Sequence, residues 1–319
     1  KHMMMKEIFD QPIALSNAMS GRISADGMNV ELGGFTLSKK ELSSLERINI
    51  VACGSAYYAS LVGVEYLREF TDITVEAFRA SEFPAKSVCG SRTLTIGVSQ
   101  SGETKDTLDA LQIAKLNGSN ISSFCNVIGS TMSRLTGNGA YLHAGPEFAV
   151  ASTKVVSNMM ISFVLLALSL SKDSNEKNEI ISELRRLPNR LTRQLLDDDG
   201  SIENAIKLIS KSKSAIFIGR GISSPLTLEG ALKMMEVAYL PCIAYPGGEL
   251  KHGPIALIEE GTPIIAIAPE DTTLTLMESS IRECKSRGGR IILITDSEGH
   301  ITELADVVIS TQSTHPLLS

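Results

Sequence analysis

The chain has 319 residues, of which 43% are hydrophobic, and its formal net charge is -6. This length is typical of two domains with ordinary apolar cores, and the acidic balance argues against nucleic acid or anionic membranes as partners, because both need a basic face. The cysteines are odd in number and form no C-x-x-C pair, which indicates neither a disulfide framework nor a zinc site: Cys53, Cys89, Cys125, Cys242 and Cys284. We therefore expect a cytoplasmic protein without a metal or cofactor.

Residues 1–45 have a helical and irregular pattern interrupted by glycines, and we predict an N-terminal arm that lies outside the core. From residue 46 onward, short apolar runs alternate with helical segments. The predicted strands begin at Ile48 and continue with 73–77, 94–98, 122–126 and 140–142. Such alternation favours a parallel, doubly wound sheet, which we assign to residues 46–170. The apolar run 155–170 is too short to span a bilayer, and we interpret it as a buried helix.

Residues 171–212 are rich in charge, Asp173 and Asp198 included, and predict an amphipathic helical linker. The plan of the first half then returns in residues 213–319. Strands are predicted at 215–218, 264–268 and 291–295, and helices at 226–238 and 274–286. Two copies of one unit explain this recurrence. The predicted fold class is therefore α/β, with two tandem, flavodoxin-like, doubly wound parallel sheets.

The segment from Ser99 to Thr104, with sequence Ser-Gln-Ser-Gly-Glu-Thr, separates a predicted strand from a predicted helix. Three hydroxyls and the free N–H groups of a helix N-terminus converge there, at the carboxyl end of a strand, which suits a phosphate. The alternative is that Ser101 or Thr104 only caps the helix. The Walker pattern is absent, so nothing indicates a nucleoside triphosphate.

Two other segments have the same strand-to-helix context. The first strand ends on Cys53-Gly54-Ser55, where the glycine permits close approach of a ligand, although a plain tight turn would look the same. The second segment, Gly145 to Lys154, leads into the long apolar helix with further hydroxyls. Lys154 could resemble a pyridoxal phosphate lysine, but the surrounding spacing does not support this, and a structural or phosphate-side role is favoured.

In the second half, Glu229, Lys233 and Glu236 share one face of a predicted helix. Most stripes of this kind are solvated salt bridges. The neighbouring loop from Gly247 to Pro254 contains His252, one of five histidines in the chain. A carboxylate that moves a proton between adjacent carbons, and a histidine that opens a sugar ring, are the groups that aldose–ketose isomerisation requires.

Taken together, four segments resemble the sugar isomerase (SIS) half of the glutamine:fructose-6-phosphate amidotransferase family: 99–104, 145–154, 228–233 and 248–254. The resemblance covers almost the whole chain, and residues 5–12 resemble the start of that half. It implies the isomerase chemistry of hexosamine synthesis. Fructose 6-phosphate would become glucosamine 6-phosphate, with ammonia from a glutaminase domain preceding residue 1, or glucose 6-phosphate.

The resemblance also implies roles for individual residues. Glu236 would be the proton-transfer base, His252 the ring-opening histidine, supplied by the partner subunit of a homodimer, and Lys233 a supporting lysine. Val150 and Ser152 would face the sugar. The implied phosphate site comprises Cys53, Gly54, Ser55, Ser99, Gln100, Ser101 and Thr104.

This sequence departs from the family at two places. Ala56 stands where the family usually has a hydroxyl, and the chain stops at Ser319, before the family's C-terminal tail with its Schiff-base lysine. We therefore expect sugar-phosphate binding with little synthesis of glucosamine 6-phosphate. Two alternatives remain open: a stand-alone SIS-type sugar-phosphate isomerase or amino-sugar-phosphate deaminase, and a non-catalytic sugar-phosphate sensor.

Overall fold

The computed structural model describes residues 2–35, 41–42, 44–172, 174–197 and 199–318. Three residues named above, Asp173, Asp198 and Ser319, lie outside this described part, as do parts of the predicted arm 1–45. The chain divides into two compact units, Lys1–Pro188 and Asn189–Ser319. The subdomain limits predicted from the sequence stay predictions. No helix in the described part is long and apolar enough to cross a membrane.

The first unit begins with two helices and then alternates strands and helices as far as its fifth strand. Its strands are β1 (Arg47–Ala52), β2 (Thr74–Arg79), β3 (Thr93–Ser99), β4 (Asn120–Cys125) and β5 (Gly139–Tyr141). Its helices are α1 (Met3–Phe9), α2 (Gln11–Met19), α3 (Gly54–Phe70), α4 (Ala85–Val88), α5 (Lys105–Leu116), α6 (Thr131–Thr136), α7 (Lys154–Leu170) and α8 (Asn175–Leu196), the last of which continues past the boundary at Pro188.

The second unit repeats this alternation. Its further helices are α9 (Ser201–Ile209), α10 (Ser223–Ala238) and α11 (Leu274–Lys285). Its strands are β6 (Ala215–Gly219), β7 (Cys242–Pro246), β8 (Pro263–Ile267), β9 (Arg290–Thr295) and β10 (Val307–Ser310). Short 3-10 turns, among them Leu250–His252 and Pro254–Leu257, join these elements.

Both sheets are parallel and share one strand order. The first sheet has the order β2-β1-β3-β4-β5, and the second has the order β10-β9-β8-β6-β7. Read from its other edge and numbered within its own unit, the second order is also 2-1-3-4-5. This is the flavodoxin-like doubly wound order. The predicted fold class is confirmed.

Buried strands carry the core of each unit. All residues of β3 and of β6 are buried, as expected for central strands of parallel sheets covered on both faces. In the first unit, α3 packs against α7, and an added Cβ at Gly63 would collide with the ring of Phe163. Glycine at position 63 therefore lets the two helices approach closely.

Two strands, β7 and β10, were not predicted from the sequence, and both lie at the edges of the second sheet. β7 follows Pro241 and ends on Pro246, and β10 has only four residues, none of them fully buried. Edge strands lack the continuous apolar run of a central strand, so their pattern is weak. The prediction that residues 1–45 lie outside the core is wrong for α2, because Ala14, Leu15 and Ala18 are buried and α2 packs against α7.

Candidate active site

A cavity of about 220 Å³ lies where β1 and β3 end. These strands are neighbours, and the chain order reverses between them, so the cavity occupies the topological switch point where open α/β sheets bind ligands. Most of the lining residues are polar, and Val156 and Met159 of α7 are among the apolar ones. The lining residues are Cys53, Ser55, Ala56, Val98, Ser99, Gln100, Ser101, Thr104, Ser152, Val156 and Met159. The cavity thus brings together most of the residues that the resemblance implied for substrate binding.

The segment from Ser99 to Thr104 is held by its own hydrogen bonds. The hydroxyls of Ser99 and Thr104 lie 2.8 Å apart and share a hydrogen bond. The Gly102 N–H donates to Ser99 Oγ at 3.1 Å, and the Glu103 N–H donates to Ser101 Oγ at 3.1 Å. The loop is therefore preorganised, so a ligand need not order it on binding.

Gly102 is essential to the shape of this loop. Its φ of +68° is a left-handed conformation, and a Cβ there would collide with the side chain of Ser130. The carboxylate of Glu103 accepts the Thr131 N–H at 2.8 Å, and this backbone hydrogen bond, followed by one from the Thr131 side chain, lowers the pKa of Glu103. The acidic residue of the loop is thereby engaged by the start of α6.

Thr104 occupies the N-cap position of α5, yet its side chain makes no capping hydrogen bond. Its hydroxyl bonds to Ser99 instead, so the simple capping alternative does not describe this residue. α3 likewise begins at the cavity without a side-chain cap from Cys53. Two helix N-termini thus begin beside the cavity without a capping side chain, an arrangement that favours an anion.

α7 begins differently, because Glu147 caps it. One carboxylate oxygen accepts the N–H groups of Thr153 at 2.9 Å and Val155 at 3.3 Å, and the other accepts the Ser152 hydroxyl at 2.6 Å. A carboxylate at this position also interacts favourably with the helix dipole. Glu147 lies within the predicted segment Gly145 to Lys154, but nothing in the sequence indicated a role for it.

The N-terminal helices also contact the segment Gly145 to Lys154, which leads into α7. Glu7 is 2% exposed, and its carboxylate accepts the N–H groups of Phe148 and Ala149, the former at 2.6 Å. Asp10 pairs with the buried ammonium of Lys154 at 3.2 Å. These contacts assign Lys154 a structural role and exclude it from the cavity lining. Sequence spacing could not show that residues about 140 positions apart meet.

Two implied substrate residues differ from the others. Val150 is 97% exposed and does not line the cavity. Gly54 is the first residue of α3 and has a φ of +56°, and an added Cβ would meet nothing within 4 Å. Glycine at position 54 is therefore required by backbone conformation, and the space beside it is open.

In the second unit, α10 presents the predicted acidic and basic stripe. Lys233 Nζ lies 2.5 Å from Glu236 Oε2 and 3.4 Å from Glu229 Oε1. The side chains of Lys233 and Glu229 are only 19% and 12% exposed. This ion pair is therefore more buried than a solvated surface salt bridge. The predicted shared face is confirmed, and a partly buried ammonium lies between two carboxylates.

His252 ends the 3-10 turn Leu250–His252 and is exposed. The turn is fixed by the buried side chain of Leu250 and by the Gly247 N–H, which donates to the Gly219 carbonyl at the end of β6. The loop is therefore attached to the carboxyl edge of the second sheet. The described residues contain no group of three or more His, Cys, Asp or Glu side chains placed to hold a metal ion.

Comparison with known proteins identifies the class. The family model described as the SIS domain matches residues 41–169 and 208–315. The chain therefore belongs to the SIS domain family, the sugar isomerase domains. Within the family, it matches the isomerase half of glutamine--fructose-6-phosphate aminotransferase (isomerizing), as the following relatives show.

The enzyme of that name from Chlorobaculum tepidum is 42% identical over 97% of this chain and 51% of its own length. The one from Pyrococcus horikoshii is 38% identical over 97% of this chain and 50% of its own length. This chain thus spans about half the length of the curated relatives it matches. A solved structure, the C-terminal domain of glucosamine-fructose-6-phosphate aminotransferase from Francisella tularensis, has a TM-score of 0.91 at 31% identity, covering 99% of this chain and 91% of that one.

Glucosamine-6-phosphate deaminase from Thermotoga maritima has the same fold. Its structure matches 97% of this chain and 88% of its own with a TM-score of 0.72, but at 21% sequence identity. At that identity the likeness concerns the fold alone. It does not favour the deaminase alternative.

Proposed function

We propose that this chain is the isomerase part of a glutamine--fructose-6-phosphate aminotransferase, which binds fructose 6-phosphate. In the parent protein it would convert this sugar to glucosamine 6-phosphate, with ammonia, or to glucose 6-phosphate. The observation that carries the proposal is the cavity at the β1–β3 switch point, where Ser55, Ser99, Ser101 and Thr104 gather beside two helix N-termini without capping side chains. The names of the relatives support the same substrate.

The phosphate is assigned to the segment 99–104. Hydroxyl and backbone N–H donors form short hydrogen bonds with phosphate oxygens, and the dipoles of α3 and α5 add a favourable potential. This matters because the net charge of -6 gives the whole molecule no attraction for an anion. Local donors therefore supply the binding energy.

The proton transfer is assigned to Glu236. The base removes a proton from the first sugar carbon and returns it to the second carbon, while the hydroxyl proton on the first carbon passes to the carbonyl oxygen on the second. The carbonyl therefore moves from the second carbon to the first. Lys233 at 2.5 Å supplies a compensating positive charge beside this carboxylate. His252 would open the ring by moving a proton between the ring oxygen and the anomeric hydroxyl.

The proposed partners follow the family. We propose a homodimer in which His252 acts in the partner subunit's site, and a glutaminase domain that supplies ammonia in the parent protein. The cytoplasm is the proposed compartment, because the structure has five free cysteines and no disulfide among them.

Calorimetry with fructose 6-phosphate and with unphosphorylated fructose tests the proposal. We expect the chain to bind the phosphorylated sugar far more tightly, and the double variant Ser101→Ala, Thr104→Ala to lose most of that affinity. The matched control is Thr74→Ala with Ser87→Ala, which removes two hydroxyls from another cavity at the amino edge of the same sheet. Equal binding of both sugars, or equal losses in the two double variants, would contradict the assignment.

A further inference from the structure

Three helices begin at or beside the proposed sugar-phosphate cavity, and their N-termini are not equivalent. α3 and α5 have no side-chain cap, whereas the start of α7 is occupied by the carboxylate of Glu147. Ser152, which lines the cavity, lies at the α7 end, and Ser101 and Thr104 lie at the α5 end. The cavity therefore has one end that favours an anion and one end that already holds a negative charge.

The hydroxyl of Ser152 has one proton, which it donates to the carboxylate of Glu147. Ser152 Oγ lies 2.6 Å from Glu147 Oε2, the distance of a charge-assisted hydrogen bond. An ionised carboxylate only accepts, so Ser152 must be the donor. Toward the cavity, Ser152 can then only accept a hydrogen bond.

We propose that Glu147 is a positioning residue. By fixing the direction of the Ser152 hydroxyl, it sets the orientation in which the sugar phosphate binds. The oxygens of a phosphate monoester dianion are acceptors and find no donor in Ser152, whereas a sugar hydroxyl can donate to it. Glu147 thus directs the sugar hydroxyls to the α7 end and leaves the phosphate to the α5 end. This inference rests on the proposed function and adds the residue that enforces the orientation and the hydroxyl selectivity of its site.

The variant Glu147→Gln tests whether the carboxylate of Glu147 determines the direction of the Ser152 hydroxyl. The N–H groups of Thr153 and Val155 require an acceptor, so the amide oxygen takes their side. The amide NH2 then faces Ser152 Oγ and donates to it, and the serine proton is free to point into the cavity. The substitution is nearly isosteric, yet it converts Ser152 from an acceptor toward the ligand into a donor.

The measured quantity is the ratio of two dissociation constants at pH 8, that of methyl phosphate over that of fructose 6-phosphate. The ratio reports what the sugar hydroxyls add to binding. We expect Ser152→Ala to lower it about 3- to 10-fold, the worth of one hydrogen bond, because a sugar hydroxyl loses its acceptor. Glu147→Gln should lower it by a similar factor, because methyl phosphate gains a donor at the α7 end and binds more tightly. Ser101→Ala should weaken both ligands together.

Two control variants distinguish a positioning role of Glu147 from a general loss of order in the segment 145–154. Glu7→Gln removes a carboxylate that holds the same loop outside the cavity, and Ser157→Ala removes an α7 hydroxyl that donates to Gln11 at 2.6 Å. Neither should change the ratio, even if thermal unfolding shifts. If Glu147→Gln does not fold, Ser152→Ala carries the test.

The outcomes distinguish the two proposals. If the wild-type chain binds neither ligand, the proposed function itself fails. If it binds both and the ratio is unchanged in Glu147→Gln and Ser152→Ala, or falls equally in Glu7→Gln, the role of Glu147 is overturned and the proposed function stands.

Discussion

The ion pair between Lys154 and Asp10 predicts an asymmetric response to substitution. The Lys154 side chain is 7% exposed, whereas that of Asp10 is 29% exposed and also lies 3.4 Å from Lys6. Asp10→Asn therefore leaves a buried ammonium without its carboxylate. Lys154→Met leaves a partly solvated carboxylate, and it places an apolar side chain at the start of a mostly buried helix.

The burial values set the magnitudes. Removing one partner of a fully buried pair costs about 3–5 kcal/mol, and the exposure of Asp10 lowers our expectation for Asp10→Asn to about 1–3 kcal/mol. For Lys154→Met we expect less than about 1 kcal/mol, because replacing a buried charge with a packed apolar group is often neutral. For a unit of this size, each 1 kcal/mol corresponds to about 2–4 °C in Tm.

The assay is thermal unfolding of both variants between pH 3 and pH 7. Burial works to raise the pKa of Asp10, but the hydrogen bond and charge of Lys154, with help from Lys6, bring it below its ordinary value of 3.8. A depressed folded-state pKa contributes stability above the unfolded value of about 4, and this contribution is lost as the pH falls through the folded pKa. The Tm values of the wild type and of Asp10→Asn should therefore approach each other as the pH falls toward 3. A Tm loss in Lys154→Met equal to that in Asp10→Asn would refute this reasoning.

Two other predictions concern the proposed chemistry and the proposed phosphate-binding segment 99–104. In the full-length parent protein, Glu236→Gln should keep fructose 6-phosphate binding and lower isomerisation about 10²- to 10⁴-fold, with Glu278→Gln on α11 as the unaffected control; undiminished turnover would exclude Glu236 as the base. Gly102→Ala should lower the unfolding free energy by about 1–3 kcal/mol and abolish fructose 6-phosphate binding, because its φ of +68° and the adjacent Ser130 both exclude a Cβ. Unchanged calorimetry would show that the loop tolerates the change.

The position of the segment 99–104 between a strand and a helix was predictable because its signals are local. A buried apolar strand, a short run of hydroxyl residues with a glycine, and a periodic helix all lie within residues 93–116. The duplicated sheet was predictable for the same reason, since strand–helix alternation is visible along the chain. The hydrogen bond between Ser99 and Thr104 was not, because two hydroxyls near a helix start give no indication of which partner each one takes.

The support of the site depends on residues far apart in sequence. Glu7 and Asp10 reach the loop that contains Phe148 and Lys154, and no period or spacing encodes such a meeting. Burial of α2 was missed because its helix is short and its apolar residues are mostly small or mixed with polar ones. Edge strands β7 and β10 were missed because exposure removes the apolar run that marks a central strand.

The make-up of the cavity has a consequence for synthesis on the ribosome. Its residues come from the start of α3, the end of β3, the loop that follows β3 and the beginning of α7, so the cavity cannot form until the chain has grown past Met159. The central pairing of β1 with β3 is available much earlier. Because the first unit contains the whole cavity, the cavity can be complete on a nascent chain while the second unit is still being made.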